Sequence, residues 1–195
     1  MLVYLVAWLP IAACTCSDAL TASCAGAPIL ANMSAYTIQG PAMEPTLCAG
    51  DRVFADSSIA PQLGDLIVVQ NPLDEVHILK RIVGVGGDVL VLNGRSLTRN
   101  GVETVGEPTE CPRGLPQREP EDVCYASQVG SVSFKTMDGA HFLDRTETYT
   151  VPTGHLFLRG DHRDRSNDST NPMIGTVPLS RVIGVVTTPI GCRSE

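Results

Sequence analysis

A mostly β fold interrupted by an insertion is what the sequence predicts, on three observations. Short Val/Ile/Leu-rich segments bounded by Gly, Pro, Asn and Asp recur from residue 35 onward, the pattern of strands between turns. Long apolar runs at helical spacing are missing beyond residue 31. The 195 residues carry 18 Gly and 14 Pro, yet 43% are hydrophobic, so the chain is rich in turns and still has the apolar content of a folded core. That length suits one sizeable domain, or one core with an elaborated insertion.

The chain opens on "MLVYLVAWLPIAACTC", an apolar run that Pro10 interrupts and that then turns to small residues and Cys. It is shorter than the ~20 residues of a membrane span. It reads instead as the apolar part of an export signal. No Lys or Arg precedes Arg52, so the positive-inside rule gives it no orientation. "IAAC", ending at Cys14, resembles the signal box of a bacterial lipoprotein, in which Cys14 would be acylated. Residues 1–31 are therefore expected to be a leader or anchor.

A strand beginning at Ala35, "AYTIQG", enters a turn at Gly40-Pro41, and "DRVFAD" follows as a second short strand. "GDLIVVQNP" is a buried strand bounded by Gly-Asp and Asn-Pro. In "VHILKRIVGVGGDVLVLNG", alternation sends His77, Leu79, Arg81 and Val83 to one face and Ile78, Lys80 and Ile82 to the other. Lys80 thus shares a face with two isoleucines. "VLVLNGRSLTRNG" is a hairpin around Asn93-Gly94. Residues 101–148 shift to Pro, Glu, Arg and Thr and read as an insertion. The core, residues 32–100, resumes over 149–195: Leu156 to Leu158 form a strand, Gly160-Asp161 turns it, and "GTVPLSRVIGVVTTPI" closes the sheet with a short helical turn at "PLSRVIG".

The net charge is -7, with 14 scattered basic residues and no basic stripe, which excludes nucleic acid as a partner class. Seven cysteines are present. Cys14, Cys16 and Cys24 fall in the leader, and Cys48 and Cys192 stand apart. Cys111 and Cys124 form a spaced pair, which in an exported protein would close a short loop as a disulfide, the alternative being two thiols. The cysteines lack a CxxC pair and nearby histidines, so neither metal nor cofactor is expected.

Three separated stretches, "GPAMEPTLCAGD", "HILKRIVGVGGD" and "GDHRDRSNDS" with "GTVP" after it, resemble in order and content the motifs of type I signal peptidases. These are membrane-associated serine endopeptidases that remove export signals. The resemblance covers about residues 36–97 and 149–188. It implies a signal-peptidase-like β-sheet catalytic domain with a smaller inserted β subdomain, facing the periplasm or another extracytoplasmic side of a membrane. Its partners would be signal peptides and preproteins.

The family uses a Ser–Lys dyad, in which a neutral lysine amine serves as general base. Lys80 matches that base, and apolar flanks that lower an amine's pKa suit the role. Ser166 and Asp168 match residues that hold the lysine and its loop. Asp161, Arg163, Asp164 and Pro45 match structural positions of the motifs. Gly40 and Met43 flank the position of the nucleophile, where substrate and oxyanion contacts fall. His162 stands where the family usually has Asn, and is expected to be a solvated loop side chain.

The departure is Ala42, which occupies the nucleophilic serine's place and has no nucleophile. Thr46 and Cys48 lie beyond the turn and are not expected to replace it. Two readings remain: a serine-to-alanine form of an active peptidase, or a relative that has lost catalysis and kept a peptide groove. The second would act as a preprotein-binding module. A conjugation-type maturation peptidase shares the same motifs.

Overall fold

The computed structural model describes residues 31–115, 118–139 and 146–187, together with the backbone of Val6–Ala7. The Cys14 box, Cys16, Cys24 and Cys192 lie outside the described residues. Along the chain run β1 (Val6–Ala7), β2 (Met33–Thr37), β3 (Arg52–Asp56), β4 (Leu66–Gln70) and β5 (His77–Val85). Next come β6 (Val89–Asn93), β7 (Ser96–Arg99), β8 (Val102–Glu103), β9 (Val105–Thr109), β10 (Val123–Val129) and β11 (Val132–Asp138). The chain returns through β12 (Thr146–Thr150), β13 (His155–Arg159), β14 (Val177–Pro178) and β15 (Val182–Val186). The expected mostly β architecture is what forms. The helical turn expected at "PLSRVIG" is one 3-10 turn, Leu179–Arg181, before β15 takes over.

Among the described residues the strands form three antiparallel sheets. An eight-stranded sheet has the order β1-β2-β3-β15-β4-β5-β13-β14, a four-stranded sheet runs β12-β6-β7-β8, and a three-stranded sheet runs β11-β10-β9. β5 lies between β4 and β13, with Lys80 opposite Ile67 and Arg81 opposite Leu66 on one side and Arg159 on the other. A strand in the middle of a sheet covered on both faces has no solvent side, and every residue from Ile78 to Gly84 is buried.

The alternation in β5 separates two core clusters. Leu79 packs with Tyr36, Ile38, Ala42, Met43 and Val68, whereas Ile78 and Ile82 pack with Ile67, Val69 and Leu158. Lys80 and Arg81 are therefore ionisable side chains on a strand that packs against hydrocarbon on both faces.

The Pro- and Glu-rich segment holds more regular structure than its composition suggests. β10 and β11 pair over their full length around Gly130, whose φ of 57° is the left-handed conformation that glycine supplies at such a turn. Cys111 and Cys124 are joined by a disulfide, their Cα atoms 5.2 Å apart. The hairpin leans on the core at Gly64, where a Cβ would stand 2.6 Å from the Val132 side chain. Phe134 lies under the Arg81 guanidinium, 4.0 Å from its carbon to the ring centroid.

The disulfide closes a loop of 13 residues' separation in a segment with little core of its own. Replacing Cys111 and Cys124 together by alanine is expected to lower stability by about 3 kcal/mol in the chain-entropy account. A urea titration checks this as a lower midpoint.

Candidate active site

Pro41–Met43 form a single 3-10 turn that starts from extended Gly40, with φ -158° and ψ 178°, and ends when the Glu44 N–H reaches the Pro41 carbonyl at 2.9 Å. Proline at the first position of the turn supplies a preset φ, and no backbone donor is lost that the turn needs. The Glu44-Pro45 bond is cis. The Thr46 and Leu47 N–H groups both return to the Met43 carbonyl, which folds the motif into one knot beneath the sheet. Gly40, Ala42, Met43 and Pro45 are all buried, and Met43 and Ala42 belong to the core cluster of Leu79.

The loop after β13 carries the third motif. It is anchored to β13 at Leu158, whose N–H donates to Ser169 Oγ at 2.9 Å and whose carbonyl accepts the Ser169 N–H at 3.0 Å. Asp168 accepts the Gly160 N–H at 3.0 Å and both the N–H and hydroxyl of Thr170, and faces Arg159 Nε at 3.5 Å. Burial pushes its carboxyl up, but Arg159 and these donors outweigh burial and hold it below the ordinary value. The His162 N–H donates to the Ala42 carbonyl at 3.1 Å, which joins this loop to the turn at residue 42. Gly160 makes the close approach possible: a Cβ there would collide with the Ser166 side chain and the Ala42 carbonyl oxygen.

Asp161 is fully buried and receives Arg81 through two bonds, Nε to Oδ1 at 2.8 Å and Nη2 to Oδ2 at 2.7 Å. The Thr46 hydroxyl donates to the same carboxylate. Arg81 also donates to the Gly64 carbonyl at 2.8 Å. Thr46 therefore has a structural partner, and Cys48 is disulfide-bonded. Neither stands as a substitute nucleophile.

Lys80 is 2% exposed, and among the described residues its Nζ hydrogen-bonds only the Leu79 carbonyl, at 3.2 Å. Burial pulls its pKa down to about 8, while Asp168 and then Asp161 oppose the shift. Asp161 is itself paired with Arg81 and Asp168 with Arg159. Ser166 Oγ is buried without a hydrogen-bond partner among the described residues.

His162 is a correction. Expected as a solvated side chain, it is fully buried, because the inserted sheet covers it. Met137 on β11 donates to the Asp161 carbonyl at 2.9 Å and accepts the Arg163 N–H at 2.8 Å, bridging its strand to the loop on either side of His162. Asp164 accepts the Gly139 N–H at 2.8 Å. Asp122 lies 3.9 Å from His162 Nε2, and Glu119 pairs with Arg165 at 3.3 Å. Burial lowers the His162 pKa to about 4, against the pull of Asp122.

Sequence reasoning missed Arg81, Arg159, Thr46 and Glu44. Arg81 was legible as the neighbour of Lys80 on a strand with no solvent face, where a guanidinium demands a carboxylate. Glu44 had no such signal: it is fully buried, neither oxygen has a hydrogen-bond partner among the described residues, and burial raises its pKa to about 7 despite Arg165.

The family model of signal peptidase, peptidase S26, matches residues 15–190. Signal peptidase I of Bacillus licheniformis is 29% identical over 153 residues, spanning 76% of this chain and 72% of the relative. Signal peptidase I of Pseudomonas fluorescens is 31% identical, spanning 76% of this chain and 61% of the relative. Among solved structures, a signal peptidase I from Enterococcus faecalis aligns at 28% identity with a TM-score of 0.42, covering 66% of this chain and 98% of the other.

The burial of Lys80 has a thermodynamic signature. Between about 8 and the ordinary 10.5, the unfolded chain holds a proton on Lys80 that the folded chain has released, so stability rises with pH across that window. Below it the folded state carries the full penalty, on the order of 3 kcal/mol. Lys80→Met should remove this rise, and its stability relative to the parent should be highest below pH 8 and fall by that amount toward pH 10.5. Paired urea titrations across the range check it.

Proposed function

This chain belongs to the signal peptidase family, peptidase S26, and from that premise we propose that it engages the signal-peptide segment of exported preproteins with the peptidase apparatus in place and the nucleophile missing. The observation that carries the reading is the state of Lys80. A buried amine beside two carboxylates that arginines already occupy has no purely structural advantage over a buried hydrocarbon. It is the arrangement required of a general base that must be neutral near physiological pH.

In this reading the roles follow residue by residue. Lys80 would take the proton of a hydroxyl at residue 42, Ser166 would orient the amine, and Asp168 would hold the loop through Gly160 and Thr170. The residue 42 N–H would face the developing oxyanion, in a turn that Gly40 and Met43 position. Asp161, Arg163 and Asp164 would serve structurally, Asp161 through Arg81 and Asp164 through Gly139. A membrane-bound setting on the extracytoplasmic side agrees with the substrate class, although no helix among the described residues is long and apolar enough to cross a membrane. With alanine at residue 42, covalent catalysis has no starting atom, and the product of these parts is binding without turnover.

The test restores the missing atom. Loss of a serine nucleophile reduces kcat on the order of a millionfold in a serine protease. Ala42→Ser should therefore convert an inert chain into one that cleaves a preprotein at an Ala-x-Ala site, and adding Lys80→Ala should abolish that cleavage. The parent should bind the same signal peptide saturably and leave it whole. If Ala42→Ser folds and binds but does not cleave, the chain is a binding module rather than a peptidase stripped of one residue.

A further inference from the structure

We propose that the outer edge of β11 is a docking site for a second stretch of the preprotein, an extended polar segment on the mature side of the signal, which adds to Ser133 and Lys135 as a short strand. The proposal rests on the reading of the chain as a binder of signal-peptide segments. It goes beyond that reading by placing a second contact on the insertion, away from the buried Lys80.

The pairing of β11 shows which way its backbone faces. Among the described residues β11 ends its sheet, with β10 as its neighbour. Along an antiparallel strand the residues alternate between bonding to that neighbour and facing away from it. Met137 faces away: its N–H donates to the Asp161 carbonyl at 2.9 Å, and its carbonyl accepts the Arg163 N–H at 2.8 Å. The Gly139 N–H reaches Asp164 on the same side at 2.8 Å. Lys135 and Ser133, two and four residues before Met137, face outward by the same alternation, and their backbone groups have no partner among the described residues. Both residues are exposed.

This stretch of edge borders a cavity. The hairpin rests on the core where Val132 meets Gly64, and on the loop after β13 at Met137. Ser133 and Lys135, between these two props, form part of the wall of a cavity of about 430 Å³, a volume within the range of ligand sites. An open strand edge beside a cavity is what a peptide needs in order to add a strand, with main-chain bonds supplying the affinity.

Two features of the cavity choose the occupant. Pro45 and Thr46, which follow the turn at residue 42, line it, and Cα steps of about 3.8 Å keep both within ~15 Å of residue 42. A polypeptide held at that turn can therefore reach β11 about five residues further on, at roughly 3.3 Å per extended residue. The wall also carries Asp65, Arg81 and Lys135 alongside Leu66. Burying the apolar core of an export signal there would desolvate polar groups without pairing them, whereas a polar segment offers them hydrogen bonds.

The experiment uses the full chain and two peptides that share one signal segment and its Ala-x-Ala site. The short peptide stops two residues past the site, and the long one continues for twelve residues of Ser, Thr and Gln. The long peptide should bind about tenfold tighter, the equivalent of one or two net backbone hydrogen bonds. It should also slow amide hydrogen exchange at Ser133 and Lys135, while the amides of Phe134 and Thr136, which face β10, exchange alike with either peptide. Ser133→Pro removes one outward N–H and spares the bonds to β10, so this variant should lose most of the tenfold gain. If both peptides bind the parent equally and neither protects Ser133 and Lys135, the docking site is overturned and the signal-segment reading stands. If neither binds, that reading fails and the docking site fails with it. A long peptide that binds tighter but leaves both amides exchanging freely docks elsewhere, which also overturns the proposal. Should Ser133→Pro fail to fold, amide protection in the parent decides.

Discussion

The two-point bond between Arg81 and Asp161 holds together parts of the molecule that the chain keeps far apart. Arg81 lies on the central strand β5, Asp161 opens the loop after β13, Thr46 brings the residue 42 turn to the same carboxylate, and Gly64 receives the third arm of the guanidinium. A buried ion pair returns its desolvation cost only when the remaining donors and acceptors are satisfied, and here they are. Removing either partner would leave a charge stranded in hydrocarbon. The pair thereby fixes where the loop can sit, and with it the positions of Ser166 and Asp168.

It also explains the state of Lys80. An isolated carboxylate next to a buried ammonium would pair with it and restore an ordinary or higher pKa. With Asp161 committed to Arg81 and Asp168 to Arg159 and backbone donors, the carboxylates soften the penalty of burial without cancelling it, and the amine sits near 8. The arginines beside the lysine act as competitors for its counter-ions.

Much of this was legible from the sequence, for physical reasons. Hydrophobic alternation separated Leu79 from Ile78 and Ile82, and the two core clusters keep that separation. The hairpin at Asn93-Gly94 and the strand at Leu156 to Leu158 were marked by local turn chemistry, which acts over a few residues. The order of three motifs carried the family. What stayed hidden depends on contacts between distant segments. No local pattern tells that Met137 will bridge to His162, and so His162 read as a polar loop residue although the inserted sheet buries it completely. The composition of the insertion set it apart from the core but could not show which of its strands pair, β10 with β11 and with β9.

The burial of His162 gives the insertion a part in the site. Asp122 and Glu119 both lie in the loop that the Cys111–Cys124 disulfide closes, and they face His162 and Arg165. Backbone bonds from Met137 hold the same loop from β11. The stretch from Asp161 to Arg165 is thus gripped from the insertion, while its two ends are held by the core through Arg81 at Asp161 and through Arg159 and β13 at Asp168 and Ser169. A polar loop clamped from two sides can place a hydroxyl such as that of Ser166 without secondary structure of its own. The close approach at Gly160 is then a consequence of the clamp: the loop and the turn at residue 42 are pressed together until only a hydrogen fits between them.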